Sequence, residues 1–188
     1  MQFEETIDLA VIGGGAAGFM GAIKAAEDGV SSVFIFEATE KTLEKVRISG
    51  GGRCNVTNAC WDPADLVINY PRGELPLKGA FSHFAAGDAV AWFEERNLQL
   101  IIEEDGRMFP KSNSSKDVMK CLENAAIQSG VVIKRQMSVK EVIYSSEKGF
   151  LLKFRNASKI YSKKVLLATG SNPTGKKIAS ALGHIIIP

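Results

Sequence analysis

The chain has 188 residues, 45% hydrophobic and 23% charged, which is enough to bury the core of one domain of ordinary size. Its 23 basic and 21 acidic residues give a net charge of +2 with no dense basic run, so the composition argues against nucleic-acid and membrane partners. No apolar stretch reaches the ~20 residues that span a bilayer, and three cysteines are too few for a disulfide framework, so we expect a cytoplasmic protein.

The first predicted element is a dinucleotide-binding βαβ unit. An apolar strand at residues 9–12 breaks into the run GGGAAG, and a second apolar strand at residues 33–36 ends at Glu37. In this pattern Gly13 permits a tight turn, Gly15 leaves room for a pyrophosphate, and Gly18 lets helix and sheet pack closely. The helix after the turn would direct its free amides and the positive end of its dipole at the phosphates.

Glu37 stands where such folds bind the adenosine ribose. Its carboxylate can accept hydrogen bonds from the ribose hydroxyls and would repel a 2′-phosphate, so the pattern disfavours NADP.

The middle of the chain predicts a loop and then a small α+β insertion at about residues 61–114. Three consecutive glycines in the string RISGGGRCNVTN, residues 47–58, exclude a stable helix and favour close backbone approach. Two short helices are expected between Ala80 and Asn97, the second from Asp88 to Arg96. A strand at residues 98–103 should then turn at Asp105-Gly106 into a return strand.

The last third predicts a return to the parallel sheet. A helix from Ser115 or Lys116 to Ser129 stops at Gly130, and a strand at residues 131–134 completes a second crossover. Strands at 139–144, 150–155 and 160–167 follow, and at least the first two should form a β-meander. A new apolar run starts at Gly183, so we expect the chain to be part of a longer protein.

Four strings together resemble the BaiN-like, or YhiN-like, bacterial flavoproteins. They are the opening glycine fingerprint, SGGGRCNVTN at residues 49–58, EDGRMFP at 104–110, and ATG at 168–170. The resemblance covers essentially the whole chain and implies FAD bound to a two-dinucleotide-type α/β fold with a Rossmann-like parallel sheet. It also implies an oxidoreductase, since aminoacetone oxidases and bile-acid intermediate reductases are among the family's assigned activities.

The resemblance also implies a set of cofactor contacts. The pyrophosphate would lie against Gly13, Gly15, Ala16, Ala17 and Gly18, and the ribose against Glu37. The ribityl chain and flavin ring would lie beside a loop that contributes Lys45, Gly52, Arg53, Cys54, Asn55 and Thr57. The backbone of Val139 would face the adenine, and the strand end Ala168, Thr169 and Gly170 would lie near the cofactor.

Two departures from the family limit what it implies. Family members usually carry a second glycine after ATG, whereas here Gly170 is followed by Ser171. They are also about twice as long, with a substrate domain and a carboxy-terminal return to the nucleotide domain. We therefore expect residues 1–188 to be an FAD-binding domain without those parts, and no catalytic residue is assigned.

Several side chains allow two interpretations. Arg53 could stabilise negative charge on the pyrophosphate or a reduced flavin, or be an ordinary surface guanidinium. Cys54 and Cys60 are separated by five residues rather than the four of flavin disulfide reductases, so buried packing is favoured over a redox pair. Asn55, Thr57 and Asn58 could bind cofactor or satisfy a tight turn. His83 and His184 are isolated, and no metal site is expected.

Three functions remain from the sequence. The first is a flavoenzyme that moves electrons between a small organic substrate and either oxygen or a nicotinamide. The second is a dinucleotide-binding module without catalysis of its own. The third, an NAD-dependent dehydrogenase, is disfavoured because the chain has no catalytic His or Tyr-Lys constellation.

Overall fold

The computed structural model describes residues 6–187, and these fall into two compact units. The first unit holds the described residues up to Glu44 and from Leu122 onward, and the second holds Lys45–Cys121. The second unit contains the predicted insertion and extends beyond it on both sides. The reason is that the glycine-rich loop pairs with the strands of this unit and forms part of its structure.

The first unit is built on a six-stranded mixed sheet. Along the chain its elements are β1 (Thr6–Ile12), α1 (Ala16–Glu27), β2 (Val33–Phe36), β6 (Val132–Lys134), β7 (Val139–Ser145), β8 (Gly149–Phe154), β9 (Lys159–Leu167) and α7 (Pro173–Ala181). The strand order is β6-β2-β1-β9-β8-β7, parallel from β6 to β9 and antiparallel from β9 to β7. The predicted second crossover is confirmed, and the meander takes in all three final strands.

The core of this unit lies between the parallel strands and one face of the meander. Phe36 packs against Phe154 with ring centroids 4.9 Å apart, and Leu152 is fully buried beside them. Ile178 of α7 belongs to the same cluster. Burial of these apolar surfaces is what holds the meander onto the nucleotide-binding strands.

The second unit combines a three-stranded antiparallel sheet with short helices. Its elements are α2 (Glu44–Ile48), β3 (Thr57–Asn58), α3 (Pro63–Ile68), α4 (Glu74–Phe81), α5 (Ala86–Glu94), β4 (Leu100–Ile102), β5 (Arg107–Pro110) and α6 (Ser115–Gln128), which runs on into the first unit. The sheet order is β3-β5-β4, so the predicted hairpin forms the β4–β5 pair.

The helices before residue 97 differ from the prediction. The first lies at Glu74–Phe81 and the second begins at Ala86, two residues before Asp88. Asp88 caps that helix from inside its first turn, because its carboxylate accepts the backbone amide of Ala85 at 2.8 Å. Sequence analysis missed α3, although Asp62 accepts the Ala64 amide at 2.8 Å and Pro63 follows it, which is a standard helix start.

The apolar run near the carboxy terminus adds no element to the sheet within the described residues. Residues 184–187, the last that the structure describes, form neither strand nor helix, and Ile185 is 89% exposed. Between residues 6 and 187, no helix is both long enough and apolar enough to cross a bilayer.

Candidate functional site

The predicted phosphate turn joins β1 to α1 and is packed against the end of β9. Gly13 has a φ of +112°, and a Cβ there would lie 2.5 Å from the carbonyl oxygen of Ala168. A Cβ on Gly18 would lie 2.0 Å from the carbonyl oxygen of Gly13. Both positions therefore require glycine, the first for conformation and close approach and the second for close packing.

Gly15 is different, because no neighbouring atom in the described structure would clash with a side chain at this position. No heavy atom lies within 4 Å of a Cβ built on Gly15, and its φ of −91° is open to any residue. It is the N-cap of α1, makes no side-chain cap hydrogen bond, and is followed by the exposed Ala16 and Ala17. The first-turn amides of α1 are therefore accessible to an anion, which fits a pyrophosphate.

Glu37 is anchored to the same turn. One carboxylate oxygen accepts the amide of Gly14 at 2.8 Å, and the other accepts the amide and hydroxyl of Thr39 at 2.8 and 2.9 Å. A carboxylate offers about four lone-pair positions, so little acceptor capacity is left for a ribose. The sequence pattern placed Glu37 at this end of β2 but did not reveal that Gly14 and Thr39 donate hydrogen bonds to it. These contacts form because the chain after β2 passes back beside Gly14.

The ATG strand end closes the other side of the turn. The amide of Ala168 donates to the carbonyl of Ile12 at 2.9 Å, which continues the parallel pairing of β1 with β9. A Cβ on Gly175 would lie 2.0 Å from the hydroxyl oxygen of Thr169, so Thr169 packs on the start of α7. Gly170 has a φ of +58° and is exposed, which suits the turn that leaves the strand.

The segment just before Val139 is hydrogen-bonded to Glu37. The amide of Met137 donates to the carbonyl of Glu37 at 2.8 Å, and Val139 follows two residues later at the start of β7. Its side chain is 5% exposed and belongs to the core, so only its backbone is available to a ligand. The adenine contact stays a prediction.

The remaining predicted residues belong to the second unit, where residues 49–52 form a single 3-10 turn with irregular geometry. Gly50, Gly51 and Gly52 all have positive φ values, as does Cys54 at +64°. A Cβ on Gly50 would lie 3.0 Å from both the Phe109 ring and the backbone nitrogen of Asn55. The three glycines thus allow a left-handed path that lies directly against Phe109, as the loop prediction required.

Arg53 clamps this loop to the hairpin. Its guanidinium pairs with a carboxylate oxygen of Glu103 at 2.5 Å and lies over the Phe109 ring, 3.9 Å from the ring centroid. Arg107 reaches the other oxygen of Glu103 at 3.6 Å. The guanidinium of Arg53 is therefore paired with a protein carboxylate, and its role as an anion-stabilising group stays a prediction.

Asn55 and Thr57 continue the contact with the hairpin. Thr57 pairs with Met108 in the β3–β5 ladder. With its side-chain amide oriented to match its neighbours, Asn55 donates to the carbonyl of Thr57 at 2.9 Å and to that of Met108 at 3.2 Å. The structure supports the turn-satisfying interpretation of Asn55, and Gly52 and the exposed Lys45 on α2 stay predicted cofactor residues.

The cysteines have no partner cysteine among the described residues. Cys54 and Cys121 are buried, Cys60 is partly exposed, and all three are free thiols. Burial raises the pKa of the Cys54 thiol, an effect that a hydrogen bond from Ser49 only partly offsets. A buried packing role for Cys54 is the better interpretation. Within residues 6–187, no group of three His, Cys, Asp or Glu side chains could hold a metal ion.

A model of the HI0933-like protein Rossmann domain matches residues 7–188. The chain belongs to the HI0933-like family. The family resemblance and the Rossmann-like α/β fold predicted from the sequence are both confirmed.

Named relatives of this HI0933-like chain fall into two groups. The 3-dehydro-bile acid delta(4,6)-reductase of Clostridium scindens is 30% identical over 191 residues, which cover 96% of this chain and 45% of that protein. The ribosomal RNA dihydrouridine synthase of Haemophilus influenzae is 27% identical over 197 residues, which cover 100% of this chain and 47% of that protein. The chain thus spans about half the length of these relatives.

Solved structures share the fold at low sequence identity. THI4 of Thermovibrio ammonificans has a TM-score of 0.66 at 13% identity, over 96% of this chain and 64% of that one. The 3-ketosteroid-delta4-(5alpha)-dehydrogenase of Rhodococcus jostii has a TM-score of 0.64 at 18% identity, over 96% and 49%. For the HI0933-like chain, these likenesses establish the fold.

The relatives bear on one expectation in particular. A net charge near zero argued against a nucleic-acid partner, yet one of the named relatives is a ribosomal RNA enzyme. That expectation is not confirmed. Sequence analysis of this HI0933-like chain also missed Glu103 and Phe109, although an acid at the end of the predicted strand, just before the hairpin turn, was a usable signal for a partner to Arg53.

Proposed function

We propose that this chain is the FAD-binding portion of a flavin-dependent oxidoreductase. The observation that carries the proposal is the turn around Gly15, which leaves accessible amides and open space where a pyrophosphate would lie. Family membership supports it, because the chain shares its Rossmann domain with a reductase across 96% of its length.

The residues of the first unit would hold the dinucleotide. The amides of Ala16, Ala17 and Gly18 would donate to the phosphates, and the positive end of the α1 dipole would stabilise their charge. Glu37 would receive at most a limited contact from the ribose, since Gly14 and Thr39 already occupy most of its acceptor positions. When bound, the flavin would supply two-electron transfer, and the protein would bind and orient it.

The loop residues predicted to lie beside the flavin would contribute mainly by holding the loop in one conformation. Arg53 is held by Glu103 and Phe109, and Asn55 by the backbone of β5, so the chain fixes the loop before any ligand arrives. Preformed sites bind cofactors more tightly because less conformational entropy is lost on binding.

The substrate of the whole protein would be a small organic molecule, with NAD(P)H or oxygen as the redox partner. The names of the bile-acid reductase and the dihydrouridine synthase both describe addition of two electrons and two protons to a carbon–carbon double bond. We extend that reaction class to this chain, with NAD(P)H as the electron donor, since oxygen can only accept electrons and would serve only if the substrate were oxidised.

A second candidate is reduction of a base within RNA. The relative named as a ribosomal RNA dihydrouridine synthase aligns with the entire chain. The uneven distribution of charge along the sequence favours this candidate, because its last 58 residues are strongly basic.

The test is the visible spectrum of the purified chain, before and after dithionite. Flavin bands that bleach and return in air support the proposal, whereas a colourless protein that binds only NAD contradicts it. Gly15→Val should lose the flavin, because its side chain would fill the phosphate space, while the free energy of unfolding stays within about 1 kcal/mol.

The matched control for that variant is Gly79→Val. Gly79 is an exposed glycine of α4 whose Cβ position is also open within 4 Å. The control should keep its flavin, and equal flavin content in the two variants would show that the turn does not bind the pyrophosphate.

A further inference from the structure

The near-neutral charge of this chain is the sum of a long acidic part and a shorter basic part. Residues 1–130 hold 12 basic and 19 acidic residues, whereas residues 131–188 hold 11 basic and only two acidic residues. The final 58 residues therefore carry a net charge of +9 against −7 for the rest. Charge asymmetry of this size between parts of a chain indicates an anionic partner.

Much of this positive charge is carried by the meander of the first unit. Phe150, Leu152 and Phe154 of β8 face the core, so the alternation of a strand places Leu151 and Lys153 on the opposite, outward face. The β8–β9 register sets Lys153 directly beside Lys159 and Leu151 beside Tyr161. Lys159 is exposed, and the Lys153 side chain is 34% exposed.

The pairing of Lys153 with Lys159 is unfavourable for the fold itself. Like charges directly opposite on neighbouring strands destabilise a sheet. Glu141, the partner of Lys153 on β7, offsets only one of the two charges, with a contact of 3.1 Å. An anionic ligand between the two ammonium groups would offset this repulsion.

An aromatic ring lies within this basic face. The Lys148 ammonium sits 5.0 Å from the centroid of the partly exposed Tyr161 ring. Lys163, two residues after Tyr161, is 67% exposed while paired with Asp8 at 2.7 Å. Glu141 pairs with Lys153 and Asp8 pairs with Lys163, so a phosphate would compete with one carboxylate at each of these two ammonium groups.

We propose that the outward face of the meander, formed by Lys148, Lys153, Lys159, Tyr161 and Lys163, binds single-stranded RNA. Lysine ammonium groups would contact successive phosphates, and the Tyr161 ring would stack on an unpaired base. Base stacking favours RNA over an anionic membrane, which offers charge but no planar rings. The inference rests on the second candidate function and does not require the flavin.

The experiment measures binding of a fluorescent single-stranded RNA of about 20 nucleotides to the full chain at several salt concentrations. We expect binding that weakens steeply with salt. Lys153→Gln combined with Lys159→Gln should weaken it roughly tenfold and lower the slope of log K against log salt by about 1.5. Tyr161→Leu should weaken binding with the salt slope unchanged.

The matched control is Lys116→Gln combined with Lys120→Gln, which removes the same charge from the exposed surface of α6. It should bind RNA like the parent chain. Equal weakening by both double variants, binding without salt dependence, or binding to phosphatidylserine vesicles but not to RNA would each overturn the proposal. Flavin content recorded on the same samples separates this outcome from failure of the oxidoreductase proposal.

Discussion

Glu37 and Cys54 illustrate how single residues acquire roles that spacing alone does not reveal. The Glu37 carboxylate accepts the Gly14 amide at 2.8 Å, so it stabilises the glycine turn in addition to its predicted contact with a ribose. Cys54 occupies a left-handed conformation with a φ of +64° and is 6% exposed. Both residues are held by the chain, which limits the chemistry available to each of them.

The thiol environment predicts a clear order of reactivity. Burial raises the pKa of the Cys54 and Cys121 thiols, which lowers the thiolate fraction of both and slows their reaction. Cys60 is partly exposed and should react with a disulfide reagent at least about tenfold faster than the other two. Mass spectrometry of labelled peptides measures the order, and equally rapid labelling of Cys54 in the folded chain would contradict it.

At the scale of elements, the glycine-rich loop and the hairpin form one structure. Backbone hydrogen bonds join Val56 to Met108 at 2.9 Å and Ala59 to Gly106 at 2.8 Å, and Arg53 adds its ion pair to Glu103. The strings SGGGRCNVTN and EDGRMFP are therefore two halves of a single contact. The hairpin stabilises the loop in a left-handed backbone conformation that few residues adopt easily.

Loss of the clamp charge should loosen the loop. Glu103→Gln keeps the size of the side chain but removes its charge, and the partly exposed ion pair contributes about 1 kcal/mol. Hydrogen exchange in residues 49–56 should speed up roughly fivefold. Glu104→Gln, the same change at the exposed neighbouring residue, is the control, and unchanged exchange in both variants would refute the clamp.

At the scale of the whole molecule, the glycine turn after β1 belongs to the unit with the larger sheet. The turn is bounded by β1, α1 and the end of β9, so a ligand there would contact elements from both ends of the chain. Binding energy at such a site stabilises the fold of the entire first unit, because the ligand is released when those elements separate.

This coupling predicts a nucleotide-dependent melting temperature. FAD at 100 times its Kd should add about 2.7 kcal/mol of stability, or roughly 5–10 °C in Tm for a chain of this length. NADP should raise the Tm less, because the Glu37 carboxylate repels a 2′-phosphate. Differential scanning fluorimetry measures both shifts, and a larger shift with NADP than with FAD would overturn this assignment of the site.

The sequence by itself determined the local features: the glycine fingerprint, the strand ending at Glu37, the left-handed loop, the hairpin and the family. Each depends on residues close together in the chain, where spacing and conformational preference suffice.

The tertiary structure decided the rest. Arg53 and Glu103 are 50 positions apart, the partners of Glu37 lie on separate turns, and the lysines of the meander share one face through strand register. Register and packing between distant segments follow from how the whole core is buried, and no local pattern encodes them.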